Sequence, residues 1–176
     1  GLLALLVLSH SRAAARFDGD GGLVRLADQD RSGWDGEAIA EGIALVERAA
    51  AMRRPGRFQV QAAIAAVHAE ARTYDVTDWE QIVALYGLLR GHDGSPVVRL
   101  NGAVALAHVA GSERALAEVE QLAAVLDDYH LFHAVRAHLL RAEGRLVEAR
   151  IADRRALELT TNIAERAVIE ARLDDL

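Results

Sequence analysis

The residues whose types could do chemistry in this 176-residue chain fall into two acidic groups, one of them joined by histidines. Asp18, Asp20, Asp28 and Asp30 bracket a glycine-rich stretch and could offer oxygen ligands to a hard cation. Their spacing departs from a calcium loop. With Asp18 as the first position, Gln29 falls where a bidentate Glu is needed, and Gly21 and Gly22 fall ahead of the position that requires Gly. Turn formation and local ion pairing suit these acids better. Asp127, Asp128, His130, His133 and His138 form the second group, and His130 and His133 can share a helix face with Asp127 one turn earlier. No HExxH spacing accompanies them, so solvent-facing or capping histidines are the plainer reading.

Asp28, Gln29, Asp30 and Arg31, followed by Trp34 and Asp35, crowd acids, an amide, a guanidinium and an indole into a stretch without helical period. Arg31 in a bidentate salt bridge could fasten this loop to the helices while Trp34 plugs a gap. The same side chains could instead form a docking patch. A catalytic pair of aspartates would need a nucleophile or histidine beside it, and none is near in sequence. Gln59, Gln61, His68 and Glu70 are polar positions on an alanine-rich helix that could reach the loop. Gln59 and His68 stand too far apart for a single triad, and His68 reads as a hydrogen-bonding core residue rather than a base. With no G-x-G-x-x-G after a strand, no Walker motif and no G-x-S-x-G, the sequence specifies no reaction.

The elements that must position these side chains are helical. Leu2–Arg16 forms the first helix, ended by Asp18-Gly-Asp-Gly-Gly22, and Leu23–Trp34 is the one stretch without helical period. Asp35–Met52 carries its apolar stripe at Ile39, Ile43, Leu45 and Val46, and residues 58–72 form a helix whose alanines admit close neighbours. Thr77-Asp78-Trp79-Glu80 reads as a capping box opening a helix to Arg90. Ser95 caps and Pro96 opens the next, to Val109. Helices over 112–125, 130–142 and 146–160 follow, and Ala164–Leu173 comes after an Asn162…Glu165 cap, making nine. Ala69, Ala103 and Ala137 recur at intervals of 34, as do Ala115 with Ala149 and Leu122 with Ala156, which is the period of a tetratricopeptide helix pair. The expected fold is all-α, with about nine helices in stacked antiparallel pairs, tetratricopeptide-like towards the C-terminus.

Composition limits the function classes. The absence of cysteine excludes disulfides, thiolate nucleophiles and Cys-based metal sites. A net charge of -6 without a basic run argues against DNA binding by this chain itself. The longest apolar run, Leu2–Leu8, is far short of the roughly 20 residues a bilayer helix needs. Lacking a basic n-region, it reads poorly as a signal peptide and looks like a chain entered partway through a helix.

Several ordered stretches resemble a known family. SRAAARFDGDGGLVRLADQDRSGWDGEAIAEG, GRFQVQAAIAAVHAEA, TDWEQIVALYGLL, SPVVRLNGAVA and YHLFHAVRAHLLRAEGRLVEA closely resemble the C-terminal extension of a group of bacterial extracytoplasmic-function sigma factors. The signature falls on Ser11, Arg12, Arg16, Asp18, Asp28, Gln29, Asp30, Arg31, Trp34 and Asp35, then on Gln59, Gln61, His68, Thr77, Asp78, Trp79, Ser95, Pro96 and Asn101. Phe58 stands where Tyr is expected and Gly102 where Arg commonly follows the Asn.

The resemblance implies a non-enzymatic, cytoplasmic regulatory and interaction domain that needs no cofactor or metal. Its implied partners are the sigma factor's own upstream domains and, as a further candidate, RNA polymerase core; promoter DNA would be met only through the full-length protein, and no membrane is involved. The expected organisation is an N-terminal helical part over 1–92 containing the DQDR loop, packed continuously with tetratricopeptide-like repeats over 93–176. A generic peptide-binding scaffold and a metal-dependent hydrolase are the alternatives.

Overall fold

A computed structural model describes residues 1–174, in which the helical periods become ten α-helices and two short 3-10 turns. The only strand-like pairing among the described residues is an isolated antiparallel bridge between Phe17 and Leu23. The fold is all-α, built of stacked helices, and it divides into two compact units, Gly1–Asp93 and a second beginning at Gly94.

In the first unit α1 (Leu2–His10) packs on α2 (Gly36–Ala51) and α3 (Arg57–Glu70), and α3 packs on α4 (Trp79–His92). The helix expected to reach Arg16 stops at His10. Buried Ser11 is tied from both sides: its hydroxyl donates to the Leu8 carbonyl at 2.8 Å, and its own carbonyl accepts from Asp35 N–H at 2.8 Å. The tether overrides the helical propensity of Ala13–Ala15, which wind into a 3-10 turn instead. Asp18 then shapes the glycine stretch, its Oδ1 accepting from the N–H groups of Asp20 (3.0 Å) and Gly22 (2.7 Å). Gly42 lets α2 approach α1; a Cβ there would lie 2.5 Å from Leu8 Cγ.

The cap of α4 also differs from expectation. Asp78, not Thr77, is the N-cap, accepting from Gln81 N–H at 2.9 Å. Thr77 is one residue too early for that duty and lies buried, where its hydroxyl has another partner.

The second unit holds α5 (Pro96–Ala110), α6 (Ser112–Glu120), α7 (Ala123–Leu126), α8 (His130–Ala142), α9 (Leu146–Leu159) and α10 (Ile163–Asp174). The expected helix 112–125 is broken in two, because Leu122 N–H bonds to Val119 only three residues back, at 2.8 Å, and Leu122 sinks into the core. The pairs α5 with α6 and α8 with α9 meet through α6 and α8, and α10 lies on α9. Ala103 and Ala137 are buried at matching points of α5 and α8, as are Ala115 and Ala149 of α6 and α9. Gly111 (φ 86°) and Gly144 (φ 72°) occupy the turn inside each pair, in the left-handed conformation that favours glycine. Ser95 accepts from Val97 N–H at 3.2 Å, and Asn162 Oδ1 accepts from the N–H groups of Ala164 and Glu165. Fully buried Asp153 of α9 is ion-paired to Arg141 of α8 and, at 2.9 Å, to Arg172 of α10. No described helix is long and apolar enough to cross a membrane.

Candidate functional site

The non-periodic loop of the first unit is held by one guanidinium. Asp30 opens the 3-10 turn Arg31–Gly33 by accepting from Ser32 N–H at 2.9 Å, and hydrogen bonds from Ser32 hold its carboxyl below the usual carboxylate range. That turn sends Arg31 to the end of α3. Its Nη1 donates to the carbonyls of His68 (2.8 Å) and Ala71 (3.0 Å), and its Nη2 donates to Thr77 Oγ1 (3.2 Å). Helix C-terminal carbonyls lack intrahelical donors and carry partial negative charge, so a cation fits there. The guanidinium also lies 5.1 Å from the Trp34 ring centre and 5.9 Å from that of Tyr74. Burial pulls the Arg31 pKa below its ordinary value, with Tyr74 acting the other way.

This replaces the bidentate salt bridge considered for Arg31. The nearby acids are engaged elsewhere: Asp28 pairs with Arg25 at 2.6 Å, Asp30 caps Ser32, and Asp35 caps α2 by accepting from Ala38 N–H at 3.0 Å. Trp34 does plug the loop, being only 7% exposed. Gln29 Nε2 donates to the Val24 carbonyl at 3.0 Å. The loop therefore turns Arg31 and Trp34 inward and leaves Asp28, Asp30 and Asp35 exposed.

Residues far apart in sequence meet behind it. The His68 ring stands edge-on to Trp79 at 5.3 Å, and Tyr74 does the same at 5.1 Å. Next to this cluster is a cavity of about 240 Å³. Arg12, Trp34, Gln61, His68 and Tyr86 line it together with leucines of α1 and apolar residues of α3. Arg12 is half-buried, and among the described residues no carboxylate pairs with it. Burial first, then the like charges of Arg16 and Arg31, lower its pKa. The indole N–H of Trp34 is buried without an acceptor.

The remaining sequence-selected residues lie outside this cluster. Arg16 is exposed, with its carbonyl accepting from Val24 N–H, and Asp18 serves its glycine turn. Gln59 lies against Gly1, and Glu70 is exposed at the end of α3, so of the four polar positions on this helix Gln61 and His68 reach the cavity. Asp78 caps α4, and Asn101 is exposed on α5 in the second unit. His130 and His133 are separated in duty. His130 meets Glu165 at 2.9 Å, while His133 holds the Asp127 carbonyl at 2.7 Å. His133 is buried, which corrects a solvent-facing reading but keeps a capping one. No three His, Asp or Glu side chains among the described residues gather closely enough to hold a metal ion.

Tyr74, Tyr86 and the Ala71 carbonyl join the site although the sequence does not single them out. No side-chain pattern marks a backbone acceptor, and only the seven-residue interval from Trp79 hinted at Tyr86.

Comparison with known proteins adds context without a function. Residues 1–50 match a family of unknown function, DUF6596. An uncharacterized protein of Rhizobium meliloti (strain 1021) is 50% identical over 176 residues, all of this chain and 42% of that protein, so the chain spans less than half the length of this relative. No solved structure matches.

Proposed function

We propose that this chain is a non-enzymatic regulatory and protein-interaction domain of a sigma factor, acting on the promoter-reading domains of the same polypeptide. The observation that carries the reading is α1. Ala4 and Leu8 are buried, yet Leu2, Leu3 and Leu6 are 49%, 58% and 58% exposed. A helix apolar on all sides is ordinarily covered on all sides, so this leucine row offers a neighbouring domain a ready apolar surface. The clamped loop supports the same reading by presenting Asp28, Asp30 and Asp35 from a rigid base. The ordered motifs resembling sigma-factor extensions supply the identity of the neighbour.

The mechanism is a population shift. Contacts made with the sigma domains in one state and not the other, differing by a few kcal/mol, are enough to move the balance between held and released forms. The test is a promoter reporter driven by the full-length polypeptide, beside an association assay between this chain and the upstream domains supplied in trans. Leu3→Ser with Leu6→Ser should weaken association and change promoter output. Failure of the wild-type parts to associate, with reporter output unchanged by the double substitution, would sink the proposal. Asp30→Ala with Arg31→Ala in a still-folded protein tests the loop separately, and unaltered output would remove it from the mechanism.

A further inference from the structure

We infer that the cavity of the first unit is a binding site for a small organic anion, a carboxylate or phosphate carried on a compact apolar body. Four observations converge on that chemistry. Arg12 cannot shed its proton at ordinary pH, and a partly desolvated cation gains from an anion or acceptors that meet it. Half-buried Arg12 has neither among the described residues, and the charges acting on it are those of Arg16 and Arg31. A guanidinium kept for structure would look like Arg31, whose Nη atoms are held by two carbonyls and a hydroxyl. Arg12 is the contrasting case.

The second observation is the Trp34 indole N–H, buried without an acceptor in a side chain only 7% exposed that lines the same cavity. Buried donors are nearly always satisfied, so this one marks an incomplete hydrogen-bond set in the cavity wall. Third, Gln61, His68 and Ser9 add polar groups to the lining, beside apolar wall from Leu5, Leu8 and Ile64. A few polar groups converging on an apolar enclosure is the pattern of a small-molecule site. Fourth, the cavity measures about 240 Å³, towards the small end of ligand pockets, which points to a compact molecule and leaves too little room for a folded segment. The location is notable in a chain of net charge -6.

The inference stands apart from the sigma-factor reading, since anion binding and domain association are measured separately and either can fail alone. The experiment titrates the whole chain, ¹⁵N-labelled, with 3-methylbutanoate, butyl phosphate and the neutral 3-methylbutanamide, following the two tryptophan indole N–H signals, with Trp79→Phe used only to assign them. The expected result is a saturable shift of the Trp34 indole signal with at least one anion and none with the amide, the tighter anion identifying carboxylate or phosphate as the preferred group. Arg12→Gln should weaken binding about tenfold or more, and Arg12→Lys less. The inference is overturned if neither anion gives a saturable shift up to tens of millimolar, if the amide binds as well as the acid, or if a folded Arg12→Gln binds like the parent. The acid-against-amide comparison needs no variant, so it decides the matter even if Arg12→Gln does not fold.

Discussion

Nη2 of Arg31 lies 3.2 Å from Oγ1 of Thr77, a residue 46 positions further along the chain. With the two carbonyls on Nη1, a single side chain joins the loop, the end of α3 and the entry to α4. Removing it strips three acceptors at once. Arg31→Ala should lower the stability of the first unit by about 2–4 kcal/mol, and Arg31→Lys by about half that, because an ammonium cannot reproduce the planar fork. Urea denaturation followed by tryptophan fluorescence checks this, since both tryptophans, Trp34 and Trp79, lie in that unit. A change within about 0.5 kcal/mol for Arg31→Ala would show the clamp to be unimportant.

Gly42→Ala should destabilise, against the ordinary gain of about 1 kcal/mol for glycine to alanine inside a helix. The added methyl would meet Leu8 Cγ at 2.5 Å, and overpacking of this kind costs about 1–3 kcal/mol. Shortening the obstacle should reverse the sign. In a Leu8→Ala background the same substitution should be neutral or stabilising, and a double-mutant cycle by urea denaturation measures that coupling.

Asp153 has no exposed surface and faces Arg141 and Arg172, so loss of its carboxylate removes an ion-pair partner from two cations. Asp153→Ala should cost about 3 kcal/mol, near the low end for a broken buried pair because both arginines are partly exposed and can turn towards water. Replacing all three by apolar residues of similar volume should recover most of the loss. Thermal unfolding by circular dichroism tests both, and a stable Asp153→Ala protein would mean the ion pairs contribute little.

Burial raises the Tyr86 phenol above its ordinary value near 10. The sign follows from linkage: below that value the phenol is neutral whether folded or unfolded and stability is unaffected. Above it the unfolded chain loses the proton first, so stability falls as pH rises through the folded pKa. Tyr86→Phe should remove this part of the alkaline loss while leaving stability near neutral pH little changed. Urea midpoints across pH 9 to about 11 measure it, and equal alkaline slopes in both proteins would contradict the assignment.

What was legible in the sequence was what local chemistry controls. Ser95 with Pro96 and Asn162 marked helix ends because a cap depends on the residue in place, and the 34-residue offsets of Ala103, Ala137, Ala115 and Ala149 marked buried contacts in the second unit. The misses are non-local. Ala13–Ala15 left the helix because Asp35 N–H reaches back to Ser11, and the break at Leu122 carries no glycine or proline to announce it. Arg31 was recognised as a fastener, but its partners are main-chain carbonyls, which every residue possesses and no side-chain pattern distinguishes. Arg12 was picked out by resemblance alone, since being half-buried without an acid depends on how three helices meet.

The long reach of the Arg31 clamp also bears on time. Its bonds close chain segments of 37, 40 and 46 residues, whereas helix pairs such as α5 with α6 and α8 with α9 unite neighbours in sequence. Distant closures lose chain entropy before any contact repays it, so they form late. In stopped-flow refolding the fluorescence change from Trp34, which lies under the Arg31 guanidinium, should trail the gain of helical ellipticity, and Arg31→Ala should speed unfolding far more than it slows folding.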